Sequence, residues 1–252
     1  MQMKIPEQAC ADLVLANRIL AAQGVVDAFG HVSQRAPDDP ETFLISRSCA
    51  PQLIEADDIM RLDFDGNPVG DTSMTPYLER FIHGQIYAAR PDVGAIVHSH
   101  SASVIPFGVV ADVPLRPIYH MAGFLTDAVP IFEISDCAGP CCDMLVRDND
   151  LGRALARDLG NSMIILMRGH GSTVVGTDLK SAVFHAVYAE VNAKIQLQAQ
   201  SLGTPRLLSP GEARAAAKTN SAQMGRAWQL WALQAGFQQA SETNPGIPTP
   251  SS

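Results

Sequence analysis

A short apolar run, Ala95-Ile96-Val97, ends in His98-Ser99-His100, and this pairing constrains the chain more than any other stretch. Side chains two residues apart on a β-strand leave the same face, so both imidazoles point at one spot. Two neutral imidazoles at a strand end are two thirds of a His₃ divalent-metal site of the catalytic kind, which keeps one coordination position open. His-x-His also arises by chance, so a second segment matters. His170 lies between Gly169 and Gly171 and follows another apolar run, Met163–Met167, that reads as a buried strand. Flanking glycines give it space and a backbone free to bend. His98, His100 and His170 are thus three histidines at strand ends, candidate ligands for one ion.

Composition narrows the partners. A chain of 252 residues with 46% hydrophobic content supports a sizeable core. The formal charge of −8, from 18 basic and 26 acidic residues with no basic tract, argues against nucleic acid, because phosphate neutralisation needs clustered Lys and Arg. No run approaches the roughly 20 apolar residues of a membrane span, and the first residues lack the apolar core of a signal peptide. Cys10, Cys49, Cys137, Cys141 and Cys142 are odd in number and form no C-x-x-C pair, which suits a reducing cytoplasm.

Along the chain, residues 6–23 read as an amphipathic helix closed by Gly24. Strands are expected around Phe29–Ser33, over Phe43–Ser46 and over Ile59–Phe64, the last followed by an Asp65-Gly66 turn. Thr75 as N-cap and Pro76 open a helix that Arg90-Pro91 closes, with Leu78, Phe81, Ile82 and Ile86 as its buried stripe. A short helix with Ser and Pro follows the His-x-His strand, and Pro130–Ile134 reads as a further strand. Helices are expected over 150–160 and 178–203. Ser209-Pro210-Gly211-Glu212 is a capping-box signature that opens a last helix containing Trp228 and Trp231. With no internal repeat and no interior linker, residues 1–240 form one domain of mixed strands and helices, and 241–252 a flexible polar tail.

Glu79 lies on the helix upstream of the His-x-His strand and is the leading general acid/base candidate, against a plain helix-start carboxylate. His83, one turn on, suits a packed, hydrogen-bonded core histidine better than a fourth ligand. Glu190 and His185 on the long helix suit packing or surface roles.

The chain resembles the class II aldolase/adducin family. The likeness is carried by Gly30-His31-Val32-Ser33, by Asp57-Asp58-Ile59 through Asp65-Gly66, and by Glu79, His83 and Tyr87 at four-residue spacing. It continues in Arg90 through His100, then in Arg168-Gly169-His170-Gly171 with Val175-Gly176, over roughly residues 8–200. The resemblance implies a three-layer α/β/α fold around a largely antiparallel sheet, often assembled as a homotetramer with the active site near a subunit interface. It implies one divalent ion per subunit on His98, His100 and His170, with Glu79 as the catalytic carboxylate. Mn²⁺ and Zn²⁺ lead, with Co²⁺ or Fe²⁺ as alternatives.

Departures from the sugar-phosphate aldolases shape the functional expectation. Where those have Gly-Asn-x-Ser, this chain has His31 before Val32 and Ser33. Where they have a Thr-Pro-Ser-Gly loop, it has Ser46-Arg47-Ser48-Cys49. Tyr77-Leu78 replaces Ser-Ser before the glutamate. Small groups suited to phosphate give way to cation-capable ones, and a guanidinium suits bidentate binding of a carboxylate. His31, Ser33, Ser46 and Arg47 are therefore expected to bind a carboxylated small molecule. A surface ion pair for Arg47 and a turn histidine for His31 are the plainer readings.

The pattern resembles the family's decarboxylase branch, which acts on hydroxylated aromatic or pyridine dicarboxylates and carboxy-substituted muconate semialdehydes. Leu115 through Gly123 shares that likeness. Tyr119 and His120 within it are either proton-donor rivals of Glu79 or buttresses. A metal-dependent decarboxylase of aromatic catabolism, working through a stabilised enolate, is the leading expectation. An aldolase on a non-phosphorylated hydroxy-oxo acid is the second. A non-catalytic, adducin-like interaction module is the third.

Overall fold

The computed structural model describes residues 5–70, 72–125 and 129–236; the tail expected over 241–252 lies outside the described residues. In chain order the elements are α1 (Glu7–Ala22), β1 (His31–Arg35), β2 (Thr42–Ser46), β3 (Ile59–Asp63), α2 (Arg80–Ala89), β4 (Ala95–Ser99) and α3 (Ile105–Val109). There follow β5 (Ile131–Phe132), α4 (Ser135–Ala138), α5 (Asn149–Leu159), β6 (Ile164–Met167), β7 (Gly171–Gly176), α6 (Leu179–Leu202), α7 (Pro210–Ser221) and α8 (Met224–Gln234).

The strands form one sheet in the order β3-β2-β1-β4-β7-β6-β5. Its neighbours pair antiparallel except β5 and β6, which are parallel. Both faces are covered, which is why the strands read as apolar runs rather than alternating ones. Leu44, Ala95, Val97, Ile164, Leu166 and Val174 belong to the core shared with α1, α6 and α8. Their neighbours Phe43, Ile45, Ile96, Ile165, Met167 and Val175 belong to the core shared with α2 and α5. Strand periodicity thus divides each run between two cores, giving helix, sheet and helix layers. Truncating a fully buried strand residue such as Ile96 to Ala should cost about 2–5 kcal/mol.

Several expectations change. The helix expected from Thr75 and Pro76 begins only at Arg80. Residues 72–77 run outside any helix, because the Thr75 carbonyl accepts from Ser48 N–H at 2.8 Å and Tyr77 Oη donates to the Cys49 carbonyl at 2.6 Å. Leu78 is 66% exposed and leaves the buried stripe to Ile82 and Ile86. The capping box at Ser209 and Glu212 forms, but the helix it opens stops at Ser221, and Trp228 and Trp231 lie on the separate α8. Strand β7, directly after His170, is an element the sequence reading left out. It follows so closely because Gly169 turns the chain at φ +66°, and a Cβ on Gly171 would strike the Ser99 carbonyl on β4.

Candidate metal centre and active-site cavity

Antiparallel register places His31 opposite His98 and His98 opposite Thr173, so one row across β1, β4 and β7 faces the α2 layer. His100 follows just past the end of β4, and His170 sits in the β6–β7 turn. These placements bring His98, His100 and His170 together with Glu79, one potential ligand atom of each lying within 4.8 Å of the others.

The donor set fits a divalent cation. His170 Nδ1 donates to the Met144 carbonyl at 2.8 Å. His98 Nδ1 lies 3.2 Å from Thr173 Oγ1, whose own proton points to Met167 Sδ. With Nδ1 so engaged, Nε2 of each ring is the atom turned inward, and in the neutral form it offers a lone pair to a metal. His100 Nε2 is 3.3 Å from His98 Nε2 and 3.0 Å from His170 Nε2. The edge of a tetrahedron with metal–nitrogen bonds of about 2.0–2.1 Å is about 3.3–3.4 Å. Glu79 Oε2, at 3.6 Å from His98 Nε2 and 3.4 Å from His170 Nε2, stands at the corner left by the three imidazoles.

Glu79 occupies the residue before α2, yet its side chain does not cap the helix. Its Oε1 accepts from Val146 N–H at 3.0 Å, which leaves Oε2 for the histidines. Burial opposes its ionisation, but the hydrogen bond to His170 and the charges of His98 and His170 prevail and lower its pKa to about 2. Burial pushes His98 and His100 down, the neutral form a ligand requires. Burial also works against His170, where the hydrogen bond and charge of Glu79 outweigh it and raise the pKa.

A cavity of about 420 Å³ opens over this cluster. His31, Glu79, His98 and His100 line it, together with Ala28, Phe29, Gly30, Ser48, Cys49, Ala50, Tyr77, Leu78 and Leu145. No Lys or Arg is among them. Of the expected substrate-binding residues, the structure brings only His31 to this wall. Ser33 lies behind it, bonded to His83 and Tyr87. Ser46 is buried with its Oγ 3.2 Å from Tyr77 Oη. Arg47 is not a lining residue: its Nε pairs with Asp58 Oδ1 at 2.5 Å, so the plainer ion-pair reading describes it. Tyr119 and His120 are likewise absent from the lining; Tyr119 packs near Tyr188 of α6 and His120 is exposed.

His83 is fully buried, its Nε2 2.6 Å from His31 Nδ1 and its Nδ1 2.6 Å from Ser33 Oγ. It is a packed, hydrogen-bonded histidine and not part of the metal cluster. Phe29, Tyr77 and Leu145 as cavity walls, and the Val146 N–H and Met144 carbonyl as supports, were not assigned from the sequence. The spacing of Glu79, His83 and Tyr87 on one helical face was the available signal for the buried chain behind His31.

Comparison with known proteins agrees with this architecture. Residues 11–197 match the family described as Class II Aldolase and Adducin N-terminal domain. Decarboxylase tropJ of Talaromyces stipitatus is 36% identical over 236 residues, covering 84% of this chain and 88% of that protein. The 3,4-dihydroxyphthalate decarboxylase of Arthrobacter keyseri is 30% identical over 206 residues, covering 76% and 78%. The crystal structure of an aldolase II superfamily protein from Pseudomonas syringae superposes with a TM-score of 0.76 at 24% identity, covering 93% of this chain and 94% of that one. Matched over most of its length in sequence and in fold, the chain belongs to the class II aldolase and adducin family.

Proposed function

We propose that this protein is a divalent-metal-dependent carboxy-lyase acting on a hydroxylated aromatic carboxylic acid. The observation that carries the reading is a three-histidine, one-carboxylate cluster under a cavity walled by Phe29, Tyr77, Leu78 and Leu145, with no cationic side chain among its described lining residues. An aromatic ring fits such walls, whereas a sugar phosphate needs polar groups around its anion. The relatives named as decarboxylases of this family, one of them a dihydroxyphthalate decarboxylase, support the same reading.

His98, His100 and His170 hold the ion, Mn²⁺ or Zn²⁺ being the leading choices for imidazole ligands. When bound, it supplies Lewis-acid stabilisation of negative charge on a substrate oxygen ortho to the carboxylate. Glu79 handles the proton. As an ionised carboxylate it accepts the proton of the substrate hydroxyl and returns it to the ring carbon that bears the carboxylate. The carbon–carbon bond then breaks, its electron pair restores the ring and the adjacent oxyanion, and CO₂ leaves. Val146 N–H keeps Glu79 aimed throughout by holding Oε1. The apolar walls exclude water from the departing carboxylate.

Metal-loaded protein incubated with ortho-hydroxy aromatic mono- and dicarboxylates, and with 2-hydroxymuconate-type acids, tests the proposal through CO₂ release. A His170→Ala control should be inactive. Release of a carbonyl fragment without CO₂ overturns it in favour of an aldolase. Failure to bind any divalent ion overturns it in favour of an interaction module.

A further inference from the structure

Four buried groups run in one line away from the cavity: His31, His83, Ser33 and Tyr87. His31 Nδ1 is 2.6 Å from His83 Nε2, His83 Nδ1 is 2.6 Å from Ser33 Oγ, and Ser33 Oγ is 2.8 Å from Tyr87 Oη. Each gap holds one proton, so the line runs in one of two directions. Tyr87 decides between them. Its ring is buried, packed on Phe43 and Phe64, and among the described residues Ser33 is the one hydrogen-bond partner of its hydroxyl. If the line ran inward from His31 Nδ1–H, Ser33 would donate to Tyr87 and the Tyr87 proton would be stranded in the core without an acceptor. Running outward, every donor is met. Tyr87 donates to Ser33, Ser33 to His83 Nδ1, and His83 Nε2–H to His31 Nδ1. Burial keeps His83 neutral, pushing its pKa to about 3, so it cannot donate in both directions at once.

The geometry points to His31 as a neutral hydrogen-bond donor whose Nε2–H is turned into the cavity by the outward line from Tyr87, there to bind an anionic oxygen of the substrate. Among the described residues His31 Nε2 has no protein partner, and the ring lines the cavity stacked on His98 with centroids 4.9 Å apart. A protonated Nε2 has no lone pair for a metal, so the line also keeps His31 from joining His98 as a fourth imidazole ligand. With no Lys or Arg among the described lining residues, this N–H is a donor that selects for a carboxylate or phenolate oxygen beside the ion. His83, Ser33 and Tyr87 are positioning residues that act through His31. The inference rests on the carboxy-lyase reading only for the nature of the oxygen; the tautomer stands on the buried line alone.

The test reads the tautomer directly. In the Zn²⁺-loaded, ¹⁵N-histidine-labelled full chain, NMR should show His31 protonated at Nε2 and bare at Nδ1, with assignment by loss of the signal in His31→Gln. A proton on His31 Nδ1, or two on the ring, overturns the inference. Binding of 2-hydroxybenzoate followed by calorimetry is the second readout. His31→Leu should weaken it about ten- to a hundredfold, with unchanged metal stoichiometry, and His31→Gln, whose amide retains a donor, should recover most of that loss. Equal affinity in wild type and His31→Leu also overturns it. The two proposals fail separately, because the tautomer is measured without turnover. The expected tautomer in a protein that releases no CO₂ sinks the carboxy-lyase reading alone.

Discussion

The Met144 carbonyl oxygen accepts a 2.8 Å hydrogen bond from His170 Nδ1, and Met144 holds that position with φ at +69°, the described non-glycine residue with positive φ. A left-handed backbone costs an ordinary side chain about 1–2 kcal/mol. Here it aims a carbonyl at a candidate metal ligand, consistent with strain being concentrated at functional sites.

Met144→Gly should keep that carbonyl in place and bind metal within about threefold of wild type. Met144→Val puts a β-branched residue in a region it strongly avoids, and should weaken metal binding about 10–100-fold by misaligning His170. A competition titration with a chromophoric chelator measures both. Equal affinity in the two variants would show that the carbonyl does not orient the ligand.

Glu79→Gln preserves the acceptor for Val146 N–H while removing the charge that faces His98 and His170. Metal should still bind through the three histidines, whereas CO₂ release should fall about 10²–10⁴-fold, as expected for loss of a general acid/base. Steady-state kinetics on the metal-saturated variant checks this, and near wild-type turnover would transfer the proton to another group.

Arg47→Ala should change kcat/KM by less than about twofold. The guanidinium is already paired with Asp58 at the protein surface and does not line the cavity, and exposed ion pairs contribute little. A large rise in KM for a dicarboxylate would instead place Arg47 on the substrate.

Stability of the metal-free protein should decline with falling pH below about 6.5. Burial lowers the pKa of His83 to about 3 from an ordinary 6.5. Between those values the unfolded chain binds a proton that the folded protein refuses. This stabilisation is complete above about 6.5 and is lost at ~1.4 kcal/mol per pH unit on the way down to about 3. Burial shifts His31 and His98 in the same direction. Urea unfolding from pH 7 to 4 measures the slope, and His83→Gln should flatten it. An unchanged slope in that variant would mean that His83 is protonated in the folded state.

Local pattern carried the frame of this protein. The apolar runs at Phe43–Ser46, Ala95–Val97 and Met163–Met167 could be read as buried strands because a period of two sends successive side chains to opposite faces, both of them covered. The same period put His98 and His100 side by side, and the glycines around His170 marked a place with room and a backbone free to bend. Neighbours in sequence suffice for such inferences. Arg47 shows where they stop. Its residue type suggested a carboxylate, but its charge is taken by Asp58, a pairing set by where the chain happens to return. The late start of α2 has a similar origin: Ser48 and Cys49 tether the segment before it, and that tether frees Glu79 to face the histidines. The Met144 carbonyl, the Val146 N–H and the line from Tyr87 to His31 join groups roughly 25 to 70 residues apart. Sequence by itself determined most of the strands and the three histidines, but not β7 or the division of the sheet between two cores. Only tertiary structure decided what each polar group faces, because a buried donor or acceptor takes whichever partner packing brings within reach.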